Sequence, residues 1–162
     1  AVEINSDVAT VCRAWLRLPP EGPRLRVVVN DAAQEIRRAE WLGTVDALAV
    51  DLYDDEAAAP VLDSAAFYAD CRRLLTDEGC MTVNLFGRSA SFERSLACIT
   101  EAFGAQAVWA FKPTREGNAV VLAQRTPLRL KRVQLEDRAQ EIESRWGLPA
   151  RKWLRVFKAV EK

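Results

Sequence analysis

Apolar positions along the chain change period several times, and each change marks an element. Ala1-Val2-Glu3-Ile4 reads as the end of a strand. Val8, Val11, Cys12, Trp15 and Leu16 then recur at helical spacing, predicting a helix over residues 8–18 capped by Ser6 or Asp7. Pro19-Pro20-Glu21-Gly22-Pro23 stops it, and the β-branched run Leu25 to Val29 predicts a strand ending at Asn30-Asp31. A short helix over about residues 33–40 leads to Gly43 and then to the apolar strand run Val45 to Val50. Phe67, Tyr68, Cys71, Leu74 and Leu75 mark the inner face of a helix over residues 64–76. Asp77-Glu78-Gly79 reads as its stop, with the glycine in a left-handed cap. A strand over residues 80–86, a helix over 91–103 and a hairpin of strands over 106–111 and 118–124 follow. The remaining pattern predicts helices over residues 137–146 and 150–160.

Strands alternating with helices predict an α/β fold with a mostly parallel sheet, right-handed crossovers and an antiparallel edge hairpin. The expected organisation is an α/β domain over residues 1–126 and a helical extension over residues 127–162. A length of 162 residues is enough for a sizeable core. With 23 basic and 23 acidic residues no single sign dominates, which argues against a general nucleic-acid or membrane-surface binder. The basic excess after Arg125 reads as a solvated helix face, and Trp146 and Trp153 as packing anchors. No apolar run reaches membrane-spanning length, and no signal peptide is expected.

The chain has no histidine, which removes Ser-His-Asp and Cys-His nucleophile pairs and the commonest ligand of zinc. Cys12, Cys71, Cys80 and Cys98 form no C-x-x-C pair and read as small buried hydrophobes in a reduced, cytoplasmic setting. Proton chemistry therefore falls to carboxylates, Tyr, Lys or Cys. In an open α/β sheet, ligands bind just beyond the carboxyl ends of the strands. Asp51 and Asp54 follow the Val45–Val50 run there, while Asp55 reads as a solvated loop charge.

The order of elements, with acids at three strand ends, resembles the spermidine synthase-like (polyamine aminopropyltransferase) branch of the class I S-adenosylmethionine-dependent methyltransferase fold. Val2-Glu3-Ile4-Asn5, Asn30-Asp31-Ala32, the stretch from Asp46 to Asp54, Ser64-Ala65-Ala66-Phe67-Tyr68 and the stretch from Leu75 to Leu85 carry the resemblance, over roughly residues 1–125. It implies a Rossmann-like domain in which Glu3 accepts from both ribose hydroxyls and Asp31, with Ala32, reads the adenine. Read locally, Asp31 serves equally as a helix N-cap. Asp51-Leu52-Tyr53-Asp54 matches the family's D-x-x-D element. By resemblance Asp51 is the base that deprotonates an attacking amine, and Tyr53 and Asp54 bind the substrate. The implied co-substrate is decarboxylated S-adenosylmethionine, or S-adenosylmethionine itself, with no metal. Relative to that pattern the chain opens at the second strand, so the first strand and its glycine-rich loop are expected to be lacking and the isolated chain to be inactive. Asn5 and Asp55 also depart from the family pattern. Three functions stay open: aminopropyl transfer to a diamine such as putrescine, methyl transfer from S-adenosylmethionine, and a non-catalytic module that self-associates, for instance as a homodimer.

Overall fold

The computed structural model describes residues 1–53, 60–86, 90–115, 117–128 and 130–160. The chain divides into two compact units, Ala1–Trp41 and Leu42–Lys162. In the first, strands β1 (Val2–Glu3) and β2 (Val28–Val29) pair in parallel, with Val2 opposite Val28 and Glu3 opposite Val29. Parallel strands need a crossover, and helix α1 (Ser6–Trp15) supplies it. Asn5, rather than Ser6 or Asp7, caps α1, its side-chain oxygen accepting the Asp7 N–H at 2.9 Å. The helix ends before residue 18 because Arg17 turns to a φ of 58°. Its buried face also differs from the one predicted: Ala9 is buried, whereas Val8, Val11, Trp15 and Leu16 are exposed. Two strands of two residues each offer too little surface to cover a whole apolar stripe. The helix expected over residues 33–40 is split into α2 (Ala32–Glu35) and a 3-10 turn, Ala39–Trp41.

The second unit is built on a five-stranded sheet in the order β3-β4-β6-β5-β7. These strands are β3 (Val45–Val50), β4 (Leu75–Phe86), β5 (Val108–Phe111), β6 (Asn118–Gln124) and β7 (Phe157–Ala159). β3 and β4 are parallel, and the remaining pairs are antiparallel. Helix α3 (Ala65–Leu74) joins β3 to β4, its first turn held by Ser64, whose hydroxyl accepts the Phe67 N–H at 3.3 Å. The predicted inner face of α3 is buried, and Met81, Val83 and Leu85 of β4 are buried as well. Helix α4 (Ala90–Phe103) contributes the buried Ile99 and Phe103.

Gly79 is not a helix cap. β4 starts directly at Leu75, and Gly79 lies within it without a positive φ. A Cβ there would sit 2.7 Å from the Val45 carbonyl oxygen, so glycine is required by close approach of the neighbouring backbone. The β3–β4 register is irregular at the same place, between Val45 and Ala47.

The C-terminal segment begins its helix earlier than predicted, as α5 (Arg132–Trp146), and continues as α6 (Ala150–Val156). It then turns into β7, which pairs with β5, where a helix through residue 160 was expected. Ala139, Ala150 and Leu154 form a small core with Leu135, Ile142 and Phe157. Trp146 and Trp153 are half-exposed. Phe157 takes the anchoring role, its ring 5.1 Å from that of Trp109 and 4.8 Å from that of Phe111. Arg132, Arg138 and Arg151 pair with Glu136, Glu141 and Glu143 along the solvated faces. All four cysteines are free, and of them Cys71 is fully buried while Cys12, Cys80 and Cys98 are partly so. No described helix is long and apolar enough to cross a membrane.

Candidate functional site

Parallel pairing places the residues that follow β1 and β2 at one end of the small sheet. The Asn30 N–H donates to the Glu3 carbonyl at 3.1 Å, so Glu3 and Asp31 come to the same end of that sheet. Glu3 is fixed by its own turn: Oε1 accepts the Asn5 N–H at 2.8 Å. Carboxylate oxygens have more lone pairs than this uses, so Glu3 retains capacity for further donors. Asp31 is the N-cap of α2, its Oδ1 accepting the Ala33 N–H at 2.8 Å and its Oδ2 the Gln34 amide at 3.4 Å. Ala32 opens that helix, whose first turn leaves backbone N–H groups without intrahelical partners.

Behind this edge lies Glu35, a carboxylate only 1% exposed. It accepts from Asn30 Nδ2 at 2.9 Å and from Trp41 Nε1 at 3.1 Å, and it pairs with Arg38 at 3.5 Å. The Asn30 hydrogen bond, followed by that of Trp41, holds its carboxyl below the ordinary glutamate value against the opposing effect of burial. Asn30 in turn accepts the Asp31 N–H at 2.9 Å through its Oδ1. A chain of bonds thus runs from the buried Glu35 through Asn30 to Asp31. Reading the sequence did not single out Glu35; its one signal is an acid beside Ile36 in a short amphipathic helix.

In the second unit the register Val50–Val83 sets Asp51 and Asn84 level at the carboxyl ends of β3 and β4. Asn84 Nδ2 donates to Asp51 Oδ1 at 3.1 Å. The Tyr53 hydroxyl donates to the Asn84 carbonyl at 2.7 Å. Partial burial and then the Asp51 charge raise the Tyr53 phenol above its ordinary value, so it remains a donor at neutral pH. Asp51 and Tyr53 are therefore brought together, and Asn84 joins them. Sequence reasoning missed Asn84, although an amide between the apolar Val83 and Leu85 near the end of a strand is itself a signal. Asp54 lies outside the described residues.

The described residues resume at the 3-10 turn Pro60–Asp63. Asp63 accepts from Ser95 Oγ at 2.8 Å and from Arg94 at 2.9 Å, both on α4. The candidate site residues thus fall into two groups. Glu3, Asp31 and Ala32 form an edge suited to the hydroxyl and amine donors of a nucleoside. Asp51, Tyr53 and Asn84 form an edge suited to a cation that gives up a proton.

No protein-family model matches the chain. Among curated proteins it is similar to the polyamine aminopropyltransferase of Chromobacterium violaceum, 28% identical over 148 residues that cover 91% of this chain and 56% of that protein. The polyamine aminopropyltransferase of Neisseria meningitidis serogroup A is 27% identical over 160 residues, 98% of this chain and 60% of that protein. The chain thus spans under two thirds of the length of these relatives. Among solved structures, human methyltransferase-like protein 13 in complex with SAH superposes with a TM-score of 0.75 at 23% identity, over 89% of this chain and 68% of that one. A probable spermidine synthase from Corynebacterium glutamicum gives 0.69 at 20% identity, over 91% and 55%. A spermidine synthase in complex with the transition-state analogue AdoDATO gives 0.65 at 17% identity, over 78% and 46%. The chain has the Rossmann-like class I methyltransferase fold, and its sequence resembles the spermidine synthase-like branch of it.

Proposed function

We propose that this chain carries the aminopropyl-transfer site of a polyamine aminopropyltransferase, with decarboxylated S-adenosylmethionine as donor and a diamine such as putrescine as acceptor. The observation that carries the reading is the Asp51 carboxylate, held by Asn84 at the end of β3, in a chain similar to polyamine aminopropyltransferases over 91% of its length. Near neutral pH a diamine is protonated, and its nitrogen has no lone pair to attack with. Asp51 takes a proton from that nitrogen. The freed pair attacks the methylene carbon bonded to the sulfonium. A C–N bond forms as the C–S bond breaks, and the C–S electrons stay on sulfur, which leaves as a neutral thioether. Glu3 accepts from the ribose hydroxyls, while Asp31 and the Ala32 N–H face the adenine edge. Tyr53 has its hydroxyl committed to Asn84 and is 38% exposed, so its ring offers an aromatic face to the acceptor's ammonium, which Asp54 binds as the D-x-x-D resemblance implies.

Calorimetric titration with methylthioadenosine tests the nucleotide half: saturable heat is expected, and its loss in Glu3→Ala and Asp31→Ala. Absence of heat at millimolar ligand overturns the nucleotide assignment. For the base, Asp51→Asn in the protein that carries this chain is expected to lower transfer by about 10²–10⁴-fold with nucleotide binding retained. Unchanged turnover removes Asp51 as the base, and a methylated product formed from S-adenosylmethionine replaces this reading with methyl transfer.

A further inference from the structure

β3 stops at Val50 while β4 runs on to Phe86, so β4 passes beyond its parallel neighbour at the site. Backbone groups alternate in direction along a strand. Gly79 gives its carbonyl to the Arg125 N–H at 2.9 Å, beside the end of β6, so Asn84, an odd number of residues on, turns its carbonyl toward β3. There the ladder has already ended. A buried or half-buried carbonyl left without a donor is costly, and the Tyr53 hydroxyl supplies one. The Asn84 side chain lies on the partly open face of β4, alternating with the buried Val83 and Leu85, and its amide reaches Asp51. Among the described residues, no other side chain hydrogen-bonds the Asp51 carboxylate.

We propose that Asn84 is the positioning residue for Asp51, and that Tyr53 fixes Asn84 through its backbone, so that the three act as one unit at the β3–β4 rim. The role assigned to Asp51 rests on the proposed transfer reaction; the mechanical linkage does not. An amide hydrogen bond to Oδ1 defines which oxygen remains for the substrate and removes rotation of the carboxylate about its Cβ–Cγ bond. Misplacing a catalytic group by about 1 Å costs on the order of 10²-fold in rate. Asn84 touches no substrate in this scheme and acts only through Asp51.

The linkage is readable without turnover. The chain has two tyrosines, and burial holds Tyr68 far above Tyr53, so the first phenolate to form on raising pH is that of Tyr53. The Asp51 charge helps to raise the Tyr53 phenol, so Asp51→Asn moves its midpoint down. Followed by tyrosinate absorbance, Asn84→Leu is expected to move the midpoint in the same direction, because the carboxylate is no longer held near the ring, and Asn84→Gln to restore much of it. A midpoint that shifts in Asp51→Asn but not in Asn84→Leu overturns the proposal, provided both variants keep the wild-type circular dichroism spectrum. If Asn84→Leu loses that spectrum, Asn84→Ala decides the matter: it removes the donor without adding charge or bulk, so a wild-type Tyr53 midpoint there overturns the proposal equally. In the protein that carries this chain, Asn84→Leu is expected to lower kcat about 10- to 100-fold with little change in nucleotide KM. Should no transfer be found in the wild type, the reaction assignment fails while the Tyr53 titration still judges the linkage.

Discussion

Glu35 shows how an ionised side chain persists in a nearly closed environment: each oxygen is bonded, Oε2 by Asn30 and Oε1 by Trp41, with Arg38 alongside. Its carboxyl is held below the ordinary value of 4.5, so its contribution to stability is complete above that pH and is lost as pH falls through the lower folded-state value. Glu35→Gln is expected to destabilise the protein at pH 7, with the difference from wild type shrinking on acidification. Thermal melts between pH 7 and pH 3 check this, and a constant difference would sink it. Tyr68 presents the opposite situation: it is fully buried, and among the described residues its hydroxyl has no hydrogen-bond partner. Removing that hydroxyl in Tyr68→Phe is expected to stabilise the fold by about 1 kcal/mol, measured by denaturant unfolding. At this scale the sequence was legible in placement, where position follows from the ends of strands. Glu3, Asp31 and Asp51 stand where the ends of their strands predicted. Asn84 and Glu35 were hidden because their roles depend on neighbours 33 and five residues away in the chain.

Among the elements, those with one dense apolar face were read correctly. α3 buries the predicted residues because its periodicity faces a broad sheet. α1 has a comparable stripe, yet its neighbours within the first unit are two short strands, and the stripe remains in solvent. Periodicity reports which face is apolar and is silent about what covers it. β7 was concealed for a related reason: Phe157 and Val160 fit a helical repeat, but pairing with β5 and ring contacts with Trp109 and Phe111 outweigh local preference. Gly79 was assigned by its company, since Asp-Glu-Gly after a helix usually marks a cap. Its actual constraint is contact with the Val45 carbonyl. Gly79→Ala is therefore expected to cost about 1–3 kcal/mol, more than an ordinary strand glycine substitution, because backbone must yield to the new methyl group. A loss within 0.5 kcal/mol in urea denaturation would count against that contact.

At the scale of the whole molecule, each compact unit carries its own candidate residues: Glu3, Asp31 and Ala32 lie in Ala1–Trp41, and Asp51, Tyr53 and Asn84 in Leu42–Lys162. A nucleotide that engages Glu3, Asp31 and Ala32 is expected to slow amide exchange at residues 3–5 and 31–33, while the amides of α5 and α6 exchange as before. Protection confined to α5 and α6 would place the ligand elsewhere. The buried thiol of Cys71 has a use at this same scale. Burial pushes it up to about 12, so at neutral pH it is both inaccessible and almost entirely protonated. Alkylating reagents reach it only when the packing of α3 on β4 opens. Mass-resolved labelling of Cys71, set against the partly exposed Cys12, would therefore serve as a built-in clock for opening of the second unit, read under native conditions and without denaturant.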